Sequence, residues 1–148
     1  MIHIIKGSIF DSNCEALVNP TNCVGVWGKG LALEFKKRFP ECWENHGIAC
    51  EAGYINPGKV WVCSHLVDMP KHVICFPTKL DWRNPSKIEW IKDGLIHLKL
   101  VITAYKIKSI AIPALGCSNG GLNWEDVRPL IIEILSPLED VLILVYEP

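Results

Sequence analysis

No apolar run in the sequence approaches the roughly 20 residues that a bilayer-spanning helix needs. The opening residues Met1-Ile2-His3-Ile4-Ile5-Lys6 are too short and too polar for a secretory signal. We therefore expect a cytoplasmic protein with no membrane partner. Charge of one sign is also missing: 15 Lys and Arg stand against 16 Asp and Glu, a net charge of -1. That excludes a global basic field of the kind that binds nucleic acid non-specifically. Local patches remain open, at Lys36-Lys37-Arg38 or at Lys79, Arg83 and Lys87. The seven cysteines are an odd count without framework spacing and contain no CxxC pair. Reduced thiols are the simplest expectation, in keeping with a cytosolic protein. Repeats, low-complexity tracts and linkers are absent as well, which predicts one domain over residues 1–148.

Hydrophobic residues make up 49% of the 148-residue chain, enough to build a core without staples. Six short β-rich runs stand out, at His3–Lys6, Ala16–Asn19, Val60–Cys63, Val73–Phe76, Ser109–Pro113 and Val141–Tyr146. Several are nearly continuous apolar runs, as in strands covered on both faces. Helical patterns fall between them. Ser86-Lys87-Ile88-Glu89 reads as a capping box. Behind it, Ile88, Ile91, Leu95, Leu98, Ile102 and Tyr105 form one stripe of a long helix. A second helix should open near Gly28–Lys29 and stop before Pro40, and a third should cover Glu41–Glu51. In Trp124–Leu135, Pro129 suggests a short turn followed by a regular helix from the proline onward. The alternation predicts an α/β fold with a largely parallel sheet, whose ligands sit beyond the carboxyl ends of the strands.

Two glycine loops fall at such ends. Asn22-Cys23-Val24-Gly25-Val26-Trp27-Gly28-Lys29-Gly30 joins a strand to a helix. It offers backbone amides and a helix start to an anion, although a tight turn explains this loop alone equally well. It is neither GxGxxG nor a phosphate loop. Leu115-Gly116-Cys117-Ser118-Asn119-Gly120-Gly121-Leu122 follows the fifth run. Two such loops meeting at one sheet edge would embrace a diphosphate from both sides, which favours a nucleotide-like ligand. Cys117 has no histidine tied to it by any motif, so a small side chain in a phosphate loop is its more economical role. Cys42, His46 and Cys50 share helical spacing but lack a fourth partner, and ordinary burial is preferred to a metal site. Among the six tryptophans, Trp43 and Trp90 fall in helical patterns and read as packing. Trp27 and Trp82 flank the loops and are candidates to touch an acceptor base. Arg83 and Lys87 are either solvated charges or phosphate contacts beside it.

The runs Ala16-Leu17-Val18-Asn19-Pro20-Thr21-Asn22 and Gly25-Val26-Trp27-Gly28-Lys29-Gly30-Leu31 resemble the first binding loop of macrodomains. Leu115 to Trp124 resembles their second, diphosphate-gripping loop. Phe76-Pro77-Thr78-Lys79 with Trp82-Arg83 resembles a lysine motif of one branch, which holds the bacterial DNA ADP-ribosyl glycohydrolase DarG and the human terminal ADP-ribose protein glycohydrolase. The likeness runs from Lys6 to Tyr146, with the blocks in family order. It implies a three-layer α/β/α fold around a six-stranded mixed sheet, and a pocket for ADP-ribose that needs no cofactor. Asn22 would meet the distal ribose and share the catalytic work with Lys79, which acts at the anomeric carbon of that ribose. Ligand contacts are implied for Ser8, Ile9 and Asn19, and for Gly25, Val26, Trp27, Gly28, Lys29, Gly30 and Leu31 of the first loop. Pro77 and Thr78 belong beside them, as do Leu115, Gly116, Cys117, Ser118, Asn119, Gly120, Gly121 and Leu122 of the second. Tyr146 corresponds to an aromatic residue packed near adenine, and Ser8 stands where an aspartate is common.

Taken without the family, Lys79 after a strand is most simply a solvated lysine. As a nucleophile it must shed its proton, so burial or a neighbouring cation should lower its pKa; as a cation it would act by charge alone. Gly120 occupies the position where the human enzyme carries a catalytic aspartate. This draws the expected substrate toward ADP-ribosylated thymidine in DNA, with a DNA ADP-ribosyltransferase toxin as a possible partner. The chain stops at Pro148, short of the further C-terminal domain usual in DarG. Two other readings stand beside the DNA glycohydrolase. One is a hydrolase of ADP-ribosyl esters on protein carboxylates or acetate, and the other is a module that binds ADP-ribose without turning it over.

Overall fold

The computed structural model describes residues 1–64 and 68–148. Its six strands are β1 (Ile2–Ile5), β2 (Ala16–Thr21), β3 (Trp61–Cys63), β4 (His72–Pro77), β5 (Ser109–Ile112) and β6 (Leu142–Tyr146). They form one sheet in the order β1-β6-β5-β2-β4-β3. All pairings are parallel except that of β3 with β4, where Trp61 faces Cys75 and Cys63 faces Val73. The mixed sheet is thus parallel throughout with one antiparallel edge strand.

Strand side chains alternate between two cores, as the period of two requires. Val18, Ile74, Phe76, Ile110, Ile112, Ile143 and Val145 face α3 (Ile88–Ala104) and α4 (Trp124–Leu135). Leu17, Val73, Cys75, Ala111 and Tyr146 face the opposite layer, where α1 (Gly30–Arg38) and α2 (Pro40–Glu51) supply Phe35 and Cys42. This is a three-layer α/β/α arrangement. Helix α3 presses so closely on the sheet that a Cβ added at Gly94 would run into the ring of Phe76. That contact explains a helix-weakening glycine in mid-helix.

Four expectations need correction. Ser86 does not cap α3: Lys87 occupies the N-cap position without a side-chain bond, and Ser86 is buried with its amide donating to Gly120 O at 3.0 Å. The second loop takes Ser86 from the helix. Tyr105, expected on the buried stripe, is 48% exposed beyond the last turn, and Gly94 and Val101 join the stripe instead. Pro129 lies inside an unbroken α4. It removes only the bond to Glu125 one turn earlier, while Val127, Ile131 and Leu135 are fully buried and hold the helix to the sheet. Finally, Cys42 and Cys63 form a disulfide between α2 and β3, with Cα atoms 5.9 Å apart. They lie 21 positions apart in sequence, so spacing gave no hint of the pairing. Among the described residues no helix is long and apolar enough to cross a membrane.

Candidate active site

The connection leaving β2 passes to α1 on one face of the sheet, and that leaving β5 passes to α4 on the other. β2 and β5 are neighbours. Their carboxyl ends therefore open a crevice at the topological switch point. A cavity of about 880 Å³ fills it.

Both glycine loops reach this cavity, which Val26, Gly28, Lys29, Gly30 and Leu31 line from one side and Gly116, Cys117, Ser118, Asn119 and Gly120 from the other. They meet across it, since a Cβ on Gly30 would lie 3.4 Å from Asn119 Nδ2. Gly30 also has φ +61°, which L side chains rarely adopt, at the first residue of α1. The side chain of Asn22 pins the first loop. Its Nδ2 donates to Val26 O at 2.7 Å, while its Oδ1 accepts from Val24 N at 3.1 Å and Val26 N at 3.2 Å. One Nδ2 hydrogen remains for a ligand. The second loop closes on itself through Leu122 N to Gly116 O at 2.9 Å. A Cβ on Gly120 would collide with Ser86 Oγ and come within 2.5 Å of Gly116 O, so no carboxylate fits at this position in the observed backbone.

Lys79 follows β4, whose end is tied to β2 by Thr78 N to Thr21 O at 2.8 Å. The residue is 9% exposed and lines the cavity. Its Nζ donates to Trp82 O at 3.2 Å. Burial, with the cation of Lys29 second, holds the amine below its ordinary 10.5. Both conditions named for a nucleophilic lysine are present. The lining carries two lysines, Lys29 and Lys79, and one acidic side chain, Glu147, which itself lies beside Lys6 at 3.8 Å. Cys117 is no rival nucleophile: burial, and then Glu125, push its thiol up to about 11.

Ser8, Ile9 and Tyr146 form the far end of the cavity. Ser8 Oγ accepts from Phe10 N at 3.2 Å and caps the short 3-10 turn Ile9–Asp11. Asn22, Thr78 and Lys79 line the cavity too, but Asn19, Gly25, Trp27, Pro77, Leu115, Gly121 and Leu122 do not. Asn19 and Leu115 are fully buried. Trp27 is 1% exposed, its ring 5.3 Å from that of His46, so it cannot reach an acceptor base as expected. Trp82, 46% exposed, does line the mouth. Sequence reasoning missed Gly7, Pro20, Thr21, Ala32, Pro113, Ala114, Glu147 and Pro148. Apart from Ala32 in α1, these lie at the ends of β1, β2, β5 and β6 or within two residues past them, so reading each strand to its end and just beyond would have found them. Thr21 Oγ1 is buried without a partner among the described residues. His46 is buried, its Nδ1 3.7 Å from Cys50 Sγ, and no three His, Cys, Asp or Glu side chains gather as metal ligands among the described residues.

Residues 18–131 match the Macro domain family, and the chain belongs to that family. Its sequence is 46% identical over 149 residues to the DNA ADP-ribosyl glycohydrolase of Mycobacterium tuberculosis, covering 100% of this chain and 42% of that protein. The chain thus spans less than half the length of this curated relative. The solved macrodomain of Mycobacterium tuberculosis DarG superposes with a TM-score of 0.97 at 46% identity, covering 100% of this chain and 98% of that one. Thermosipho africanus DarTG in complex with ADP-ribose gives a TM-score of 0.94 at 33% identity, over 99% of this chain and 41% of that one.

Proposed function

We propose that this protein is a DNA ADP-ribosyl glycohydrolase that removes ADP-ribose from thymidine. The observation that carries this reading is Lys79, buried and with burial and the cation of Lys29 lowering its proton affinity, at the wall of a cavity lined by two amide-rich loops. The loops suit the diphosphate, Tyr146 and Ile9 suit the adenine, and Asn22 and Lys79 flank the distal ribose. The deprotonated amine attacks the anomeric carbon. A C–N bond to Lys79 forms as the bond to the base breaks, and the base leaves with the electron pair and takes up a proton. Water then cleaves the lysine–sugar bond, releasing ADP-ribose and restoring the amine.

The steric ban on a side chain at Gly120 supports the DNA acceptor over an ester, because no second-loop carboxylate is available to assist there. The curated relative bears the corresponding activity in its name. A DNA ADP-ribosyltransferase must supply such a substrate, and we propose one as functional partner in the cytoplasm. Three substrates test the assignment: an oligonucleotide with one ADP-ribosylated thymidine, a peptide ADP-ribosylated on glutamate, and O-acetyl-ADP-ribose. Preferential release from the oligonucleotide is expected. Faster release from either ester would transfer the assignment to ester hydrolysis, and binding of ADP-ribose with all three intact would reduce the protein to a reader.

A further inference from the structure

The segment between β4 and α3 is fastened to both binding loops. Leu80 O accepts from Cys23 N at 3.0 Å, and Ser86 N donates to Gly120 O at 3.0 Å. Residues 81–85 between these anchors bring Trp82 to the lining of the cavity. There Arg83 Nε and Nη2 grip the carboxylate of Asp81 at 3.0 and 3.1 Å, and its guanidinium lies 5.1 Å from the exposed Trp82 ring. Just beyond the second anchor, Lys87 Nζ lies 5.2 Å from the half-buried Trp90 ring. Two aromatic–cation pairs thus follow one another in sequence after Lys79: Trp82 lines the cavity, and Lys87 lines a second depression with Ser86 and Leu122.

We infer that this stretch is the landing surface of the acceptor, a single strand of DNA whose bases stack on Trp82 and Trp90 and whose phosphates meet Arg83 and Lys87. The inference rests on the glycohydrolase reading above, since the acceptor leaves the cavity where Lys79 meets the distal ribose. Aromatic faces alternating with cations are what a single strand requires, because every base offers a π-face and every linkage an anion. A modified thymine cannot pair in a duplex while its ribose is inserted between the loops. Charge alone would hold the strand poorly. Asp81 and Glu89 offset Arg83 and Lys87 in this segment, and the whole chain carries a net charge of -1. Stacking therefore contributes more than phosphate contact, and Trp82 more than either cation. The carbonyl of Trp82 also holds Lys79 Nζ, so a strand seated on the ring orders the loop that carries the amine.

The test compares kcat/KM for an ADP-ribosylated thymidine nucleoside with that for a single-stranded oligonucleotide bearing one such thymidine. Wild type should favour the strand through KM. Trp82→Ala should raise KM for the strand about tenfold, within the range of base stacking on an aromatic ring, while Trp82→Phe keeps part of the effect. Arg83→Gln with Lys87→Gln should raise it severalfold and flatten its salt dependence. For the nucleoside the double variant should match wild type, since neither side chain lines the cavity. Equal strand preference in wild type, Trp82→Ala and the double variant, or none in wild type, overturns the surface and leaves the glycohydrolase reading intact. If wild type cleaves neither DNA substrate, or favours the glutamate peptide, both fall.

Discussion

Lys79 combines burial with a backbone carbonyl as its sole hydrogen-bond partner among the described residues, and a second lysine lowers its proton affinity from nearby. The consequence for rate has a definite sign. On the proposed mechanism only the neutral amine attacks, and its fraction grows as pH rises toward the folded-state pKa, which lies below 10.5. The single-turnover rate should therefore climb with pH and level off, with a midpoint below that of a free lysine. Removing the positive charge at Lys29 relieves part of the repulsion, so Lys29→Met should move the midpoint to higher pH. A pH–rate profile of the two proteins checks this. A flat wild-type profile, or a midpoint that does not move, would leave Lys79 acting as a simple cation. The motif made this residue legible in the sequence, but its environment was not. Burial, Lys29 and Trp82 O converge from three separate segments, and no local pattern encodes that meeting.

Helix α2 carries His46 into the layer beneath the first loop, where its ring sits 5.3 Å from Trp27 and 5.7 Å from Trp61. Burial pushes its pKa down from 6.5 to about 4, because no acid compensates a charge there. The unfolded chain accepts a proton near pH 6.5 while the native one resists it until about 4. Stability from this group is therefore full above pH 6.5 and drains away as pH falls toward 4, by up to about 3 kcal/mol. Urea denaturation at pH 7 and pH 4.5 should show a larger acid loss in wild type than in His46→Phe; equal losses would contradict it. Helices and strands were largely visible as apolar periodicity, and the errors have physical causes. Ser86 resembles a cap by sequence but is taken by Gly120 O. Pro129 resembles a break but loses a single bond in a helix held by three buried side chains. Trp27 stands in a glycine loop yet turns inward onto His46. In each case a distant partner outweighs the local preference.

On the scale of the whole molecule, the crevice exists because adjacent strands β2 and β5 send their connections to opposite faces of the sheet. The alternation of strands and helices was enough to expect a site at that edge, and two glycine loops were enough to expect an anion. The segment between β4 and α3, which brings Lys79 and Trp82 to the cavity, was not legible as such. Its anchoring to Cys23 and Gly120 depends on strand order, which the sequence alone did not supply. On the proposed mechanism Lys79, at the start of this segment, cleaves what the two loops hold. Release of ADP-ribose from an oligonucleotide carrying one ADP-ribosylated thymidine, by wild type and by Lys79→Ala, measures that directly. The variant should lose at least about a hundredfold in rate, as removal of a nucleophile requires, yet bind free ADP-ribose within a few-fold of wild type. Undiminished release by Lys79→Ala would contradict the account.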